Sequence, residues 1–450
     1  MIGREHMNTF LKGSLLLIIA SFLGECVEFL MNMVLAAELG ERGLGLYMSI
    51  LPTVFLIVLL ASFELPISLS KYIAEKDLQY HRSMLRYAIR MTAVVSTVFL
   101  LLLSLVLPLF PVFDSYHPLF KWLIVILVPF VSFSSVARGY FMGKQQMGKI
   151  AAANFFRKFV QLGLLVFLFQ LFEFDAETSI LIAFFAFVGS EIVITVYLLH
   201  LFYVQYQQLK LAPYKRLEGR VLRKSLLSVS IPTTSIRIFD SLTHAVQPFL
   251  IKAALVRSGM EVTAATEQFG LLAGVAMTIG FFPAFIAHSL LVALIPAVSR
   301  LNAEENKDKL RSLLKKVVGF TFLYGLPVSF VFYFYGDVLA RLFLDSEAAA
   351  RFLQILIPYF LLHFFLIPLQ AYLIGLGLLK DAFFHNVWGT IVSFALIYVL
   401  GSFPALRMDG VIIGMNTGAV LITLMHYVTV CKKIGISSLS LRPLADSRHI

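Results

Sequence analysis

The chain reads as an all-α polytopic membrane protein, about twelve transmembrane helices in two six-helix lobes, and three observations predict this. Of 450 residues, 59% are hydrophobic and only 14% charged, where soluble domains carry about 25% charged residues. Uncharged apolar runs of roughly twenty residues, long enough to cross a ~30 Å hydrocarbon core as helices, follow one another along the chain. Polar residues and prolines also recur between the two halves at shifts of 212, 229 and 232. Such a drift is what loop insertions leave behind after an internal duplication.

The expected spans are 10–37, 46–69, 85–109, 119–140, 153–171 and 179–203, then 226–255, 269–298, 317–335, 352–374, 382–400 and 411–430. Six precede the polar stretch that runs to Lys224 and six follow it. The organisation is therefore an N-lobe (1–204), a basic linker (205–224), a C-lobe (225–431) and a tail (432–450). Arg4 and Lys12 ahead of an apolar run superficially resemble a secretory signal. Glu25 and Glu28 interrupt that run and no A-x-A site follows, so a retained first helix is expected. The two cysteines, Cys26 and Cys431, make neither a disulfide framework nor a metal site.

The first helix, Lys12 to Ala37, carries Ser21, Glu25, Glu28 and Asn32 at steps of three and four residues, so they share one helical face. In the seventh, SLLSVSIPTTSIRIFDSLTHAVQPFLIKAAL, Thr233, Arg237, Asp240, His244 and Gln247 do the same. The shift of 212 places Ser21 on Thr233, Glu25 on Arg237, Glu28 on Asp240 and Asn32 on His244. Each stripe covers about 16 Å of helix. A charged side chain at mid-membrane costs roughly 2.5–3.5 kcal/mol on insertion scales, so such a stripe needs partners or water. Two readings follow: Arg237 and Asp240 neutralise each other within a packed helix, or the two stripes wall a shared polar cavity.

Two further self-matches support duplication. Ser70 to Glu75 pairs with Ser299 to Glu304, each after a proline, Pro66 and Pro296. Tyr140 to Gly143 with Asn154 pairs with Tyr372 to Gly375 with Asn386. Prolines inside spans, such as Pro52, Pro129, Pro232, Pro283, Pro358 and Pro368, leave backbone groups for neighbours to satisfy.

The formal net charge of +11 is confined to alternate loops. Lys71, Lys76, Arg82, Arg86 and Arg90 are placed after helix two, and Arg138, Lys144, Lys149, Arg157 and Lys158 after helix four. The linker, the segment after helix eight and the tail are also basic, whereas the opposite loops hold scattered cations and the acidic Glu173 to Glu177. The positive-inside rule then puts the linker and both termini in the cytoplasm of a bacterial plasma membrane. Topology and anionic lipid account for the basic loops, and no nucleic-acid partner is implied.

The sequence contains no Walker loop, no HExxH and no G-x-S-x-G elbow, which argues against an ATP-driven pump or a hydrolase and for a protein that is not an enzyme. No cofactor is expected; a proton or sodium gradient would drive transport. A carboxylate removed from water holds a proton more readily, so Glu25, Glu28 and Asp240 suit a proton relay, with Glu64 a further intramembrane carboxylate. Histidine changes charge near neutral pH, which makes His244 a candidate; His288 and His363 read as packed in the bundle. Arg237 is the one arginine expected deep in a span and suits an anionic group on the cargo.

AAELGERGLGLYMSILPT (Ala36 to Thr53), LPISLSKYIAE (Leu65 to Glu75) and RGYFMGKQQMG (Arg138 to Gly148) resemble the multidrug/oligosaccharidyl-lipid/polysaccharide flippase superfamily. Within it they are similar to the stage V sporulation protein B and polysaccharide-biosynthesis branch. The resemblance implies two six-helix lobes in a V, a central cavity open to one side at a time, and movement of lipid-linked saccharide precursors between leaflets. Lipid II flippases of the superfamily have arginines in the first helix, where this chain has Glu25 and Glu28, and an additional C-terminal helix pair.

The leading expectation is a flippase-type secondary transporter of a lipid-linked or amphiphilic envelope precursor. A cation-coupled exporter of small amphiphiles, and a non-transporting scaffold that recruits envelope-synthesis enzymes, are the alternatives.

Overall fold

The structure, a computed structural model, describes residues 2–63, 65–211, 213–215 and 219–437, with the backbone alone for 2–18, 20 and 219–236. Every regular element among them is a helix. Eleven of the described segments are long and apolar enough to cross a membrane. Their outer faces carry large apolar side chains, among them Leu105 and Leu323, both more than 70% exposed, as lipid contact requires.

The first two expected spans form one element, α1 (Ile2–Ser62), divided at Gly40, whose φ of 63° and ψ of −177° are open to glycine alone at no steric cost. After a break at Phe63 the chain resumes as α2 (Leu65–Glu75), with Pro66 in the first turn, where a missing N–H breaks no hydrogen bond. The Ala61 carbonyl at that break accepts a hydrogen bond from Ser132 Oγ at 3.0 Å. Helices α3 (Leu78–Val106), α4 (Leu119–Gly143), α5 (Met147–Leu171) and α6 (Ala176–Lys210) follow. Asp175 caps α6, and hydrogen bonds from the Thr178 hydroxyl first, then from the Thr178 and Glu177 amides, hold its carboxyl below the ordinary range.

The expected linker 205–224 is largely helical instead, because α6 runs on to Lys210 and α7 (Gly219–Arg257) starts at Gly219. Polar residues past the hydrocarbon edge keep their helical hydrogen bonds in the interface, so a helix outlasts its apolar run. For the same reason Arg138 lies on α4, and Arg157 and Lys158 on α5, not in a basic loop.

The expected eighth span, 269–298, is two helical arms. Val262–Phe281 comprises α8 (Val262–Gly270), a π-helical stretch Leu271–Ala276, and α9 (Met277–Phe281). The second arm is α10 (Ala284–Ala303), beginning after Pro283. Helices α11 (Lys307–Arg341), α12 (Glu347–Ile355), α13 (Ile357–Gly375), α14 (Leu379–Gly401) and α15 (Met408–Ile434) complete the chain. Helix ten of the expected set is likewise split, into α12 and α13, just before Pro358, and the Ile355 carbonyl there accepts from Asn416 Nδ2 at 3.0 Å.

The duplication is visible in the packing. Each copy has two prolines thirteen or fourteen residues apart, Pro52 with Pro66 and Pro283 with Pro296. The first copy breaks beside its second proline and the other copy at its first, while Pro52 and Pro296 remain inside helices. A Cβ on Gly143, the last residue of α4, would come within 2.6 Å of Ile73, and one on Gly375, the last of α13, within 2.8 Å of Val298. In both copies the glycine lets a helix end close on the arm that carries the second proline.

Packing divides the chain into one unit of 37–248 and another that joins 1–36 to 249–450. The start of α1 thus belongs with the C-terminal helices, a grouping different from the lobe boundaries that helix counting gave. Its aromatic face is the reason: Phe22 meets Phe285 at 5.3 Å and Phe29 meets Phe343 at 4.9 Å. The first unit has its core around Leu69, Leu85, Phe141 and Leu198. The second has one around Val298, Leu314, Tyr372 and Val430.

Helices α14 and α15 approach most closely, along a glycine stripe. A Cβ would stand 2.4 Å from the Leu400 carbonyl oxygen at Gly410, 2.6 Å from the Ile397 amide nitrogen at Gly414, and 2.6 Å from Ser393 at Gly418. Small residues at four-residue spacing let membrane helices touch backbone to backbone. Gly414→Ala is expected to cost about 1–3 kcal/mol through overpacking and to lower the thermal unfolding midpoint in detergent. Gly163→Ala in α5, with no neighbour within 4 Å of the added methyl, is expected to be neutral or stabilising by up to ~1 kcal/mol. Asp175→Ala is expected to destabilise at neutral pH, and its difference from wild type should shrink as acid protonates the capping carboxylate. A depressed carboxyl contributes stability above its unfolded value and loses it as pH falls through the folded one.

Candidate functional site

Glu25, Glu28 and Asn32 line one cleft of ≈ 170 Å³ together with Phe29, Ala273, Met277, Thr278, Phe281 and Phe282. The three polar residues come from a single face of α1, as their spacing requires. The opposite wall is built from the π-helical stretch and α9. A π-turn inserts an extra residue into the helical ladder, and such turns occur frequently at functional sites. Here it offers Ala273, the smallest side chain of the wall, opposite the carboxylates.

Aromatic rings hold the walls in place. Phe282 packs edge-on against Phe29 at 5.2 Å and Phe22 at 6.2 Å. Phe281 packs against Phe360 at 5.4 Å and against His363 at 4.8 Å. Phe360 is itself buried over Gly280, where a Cβ would stand 2.0 Å from its ring. Aromatic rings and oxygen-bearing side chains thus share the lining of the cleft.

Volume decides what fits. At ~30 Å³ per water, ≈ 170 Å³ holds about five or six waters, below the roughly 300–1,000 Å³ of small-molecule sites. The cleft takes an ion with part of its hydration shell, or one polar group of a larger cargo.

The second stripe lies in the other packing unit. Arg237, Asp240 and His244 are exposed and Gln247 half-buried. His244 Nε2 stands 4.0 Å from Asp240 Oδ1, with side chains 67% and 73% exposed, a setting in which an ion pair contributes little. Ser21 is exposed and does not line the cleft. Glu64, and the side chain of Thr233, fall outside the described residues. Of the remaining histidines, His288 is exposed and His363 half-buried, stacked on Tyr359.

Sequence reasoning missed a second polar group. Arg157 Nε lies 3.3 Å from Glu191 Oε1, its Nη1 donates to Gln161 Oε1 at 3.4 Å, and Arg138 Nη1 donates to Asn154 Oδ1 at 2.7 Å. Arg157 is ten residues into α5, ~15 Å along its axis. A carboxylate alone inside the apolar run 179–203 was the available signal.

A repeated set of broken, proline-punctuated membrane helices, with a small acidic cleft inside one packing unit, defines a transporter type of membrane protein. The chain belongs to the polysaccharide biosynthesis protein family, whose pattern matches residues 10–258, while the MatE pattern matches residues 272–399. This places it in the multidrug/oligosaccharidyl-lipid/polysaccharide superfamily, on the stage V sporulation protein B branch. Sporulation protein YkvU of Bacillus subtilis (strain 168) is 50% identical over 96% of this chain and 97% of its own length. Stage V sporulation protein B of the same organism is 33% identical, over 96% of this chain and 85% of its own. Among solved structures, the inward-facing conformation of a multidrug resistance MATE family transporter superposes with a TM-score of 0.72, covering 91% of this chain and 94% of the other. At 16% identity that likeness is one of fold.

Filling the cleft tests its role without touching a charge. Ala273→Leu is expected to leave folding and membrane insertion intact and to cut transport at least about tenfold, a loss of ~1.4 kcal/mol in transition-state stabilisation, read as substrate exchange in reconstituted vesicles.

Proposed function

We propose that this transporter moves a lipid-linked saccharide, or a similar amphiphilic envelope precursor, between the leaflets of a bacterial plasma membrane, by alternating access and at the expense of an ion gradient. The observation that carries the coupling is the acidic cleft: Glu25, Glu28 and Asn32 gather in a space sized for an ion rather than a saccharide. In this reading a proton or sodium ion occupies the cleft, and its arrival and departure bias the helix breaks at Phe63 and Pro283 between two arrangements. The six-helix lobes 1–204 and 225–431 are the moving parts, with the basic loops and both termini in the cytoplasm. The family and its sporulation relatives support the choice of cargo.

A second reading is a cation-coupled exporter of small amphiphiles. The MATE neighbours and the acidic rather than basic first helix favour it.

Purified protein in liposomes decides between them. Leaflet exchange of fluorescent undecaprenyl-diphosphate sugars is expected to rise severalfold when a proton or sodium gradient is imposed. The double variant Glu25→Gln, Glu28→Gln is expected to abolish the gradient response while the protein still inserts and unfolds cooperatively. Exchange of a cationic dye but not of the lipid-linked sugar would favour the exporter; indifference of both to gradient and to the double variant would remove the coupling role of the cleft.

A further inference from the structure

We infer that a groove between α3, α4 and α6 is a binding site for one anionic phospholipid of the surrounding bilayer, with an acyl chain along the groove and the headgroup at its basic end. The groove measures ≈ 640 Å³, within the roughly 300–1,000 Å³ of sites that take organic ligands. Phe133 and the buried Val136 of α4 form its floor, Ile89 of α3 one wall, and Val196 and Leu199 of α6 the other. Its polar members, His200, Tyr203, Tyr206, Gln207 and Lys210, all lie towards the end of α6. The lining therefore passes from apolar to polar along one helix, which is the polarity of a phospholipid. From Val196 to Lys210 is fourteen residues, ~21 Å of helix, or the depth of one leaflet in a bilayer ~40–45 Å thick with its headgroups.

The polar end is also the basic end. Just past α6 the Lys215 amide donates to the Gln79 carbonyl at 3.0 Å, so the end of α6 adjoins the start of α3. Tyr214 there meets two guanidinium groups, Arg82 at 5.2 Å and Arg86 at 5.8 Å from its ring centroid. The Lys210 Nζ stands 5.9 Å from the Tyr206 ring. Residues 78–90 hold Arg82, Arg86 and Arg90 and no carboxylate, while 205–224 hold six lysines and arginines against Glu218 alone, so both segments are net basic. Cations past the hydrocarbon edge, with tyrosines beside them, are suited to an anionic headgroup at the interface. A face that met only bulk acyl chains would need neither the concavity nor the charge at its end. The site is the same whatever the cargo and whichever side of the membrane this end faces.

Native mass spectrometry of the purified, delipidated full-length protein tests it with acyl-matched phosphatidylglycerol and phosphatidylcholine. Phosphatidylglycerol is expected to bind severalfold more tightly. Lys210→Gln is expected to weaken phosphatidylglycerol about fivefold, the worth of one cation near an anionic headgroup, and to leave phosphatidylcholine unchanged; Lys210→Arg should restore the difference. Val196→Trp, which adds an indole to the groove from an exposed position, is expected to weaken both lipids about tenfold through lost apolar contact. Ile89→Trp is expected to do the same from the other wall, and a thermal unfolding scan checks that each variant is folded. Glycerol 3-phosphate, a headgroup without a chain, is expected not to compete. Equal affinity for the two lipids in wild type, an unchanged preference in folded Lys210→Gln, or wild-type binding in both folded tryptophan variants overturns the site. Competition by glycerol 3-phosphate would reduce it to a basic surface, and retention of undecaprenyl phosphate in preference to phosphatidylglycerol would give the groove to cargo; either result overturns the phospholipid assignment.

Discussion

In hydrocarbon an unpaired backbone carbonyl or amide costs several kcal/mol, and this constraint decides where the helices of this protein can break. Two of the interruptions have a side chain from a neighbouring helix assigned to them. Ser132 donates to the Ala61 carbonyl below the gap at Phe63, and Asn416 donates to the Ile355 carbonyl at the kink before Pro358. Prolines therefore mark permitted breaks, and the polar residue across the interface makes the break affordable. The cleft depends on one of these irregular stretches, because the π-turn at Leu271–Ala276 places Ala273 and Thr278 opposite Glu25 and Glu28.

Much of this was legible in the chain. Hydropathy gives the class, since apolar runs of spanning length admit only helices in lipid. The stripe Glu25, Glu28, Asn32 could be read from spacing, and these three do share a cleft. The duplication could be read from matched prolines and glycines, and the closures at Gly143 and Gly375 reproduce it. What spacing cannot supply is the opposite wall. Periodicity identifies a face but not its neighbour, and the partner of the first stripe turns out to be a π-turn with no sequence signature of its own.

The overlooked arginines carry a different lesson. The charge bias between loops reads a cation near a helix end as part of a basic loop, and it does not ask what meets that cation inside the bundle. Arg157 defeats it because Glu191 and Gln161 meet it inside the bundle, and Glu191 defeats a hydropathy window because its neighbours are apolar. A lone carboxylate in one run and a lone arginine near the start of another are each unremarkable, and only the fold shows that they are partners. The same holds for Arg311, placed among basic loop residues, which instead caps α15 by donating to the Ile434 and Gly435 carbonyls.

The glycine stripe between α14 and α15 has a consequence for biogenesis. These two helices are joined by the short stretch 402–407, so they are sequential neighbours that also pack intimately. Their contact combines backbone proximity with Ser393 Oγ meeting the Gly414 carbonyl at 3.1 Å and His385 Nδ1 meeting His426 Nδ1 at 3.3 Å. Such a hairpin can zip as it leaves the translocation machinery, giving the final part of the polypeptide a preformed staple against which the earlier spans settle.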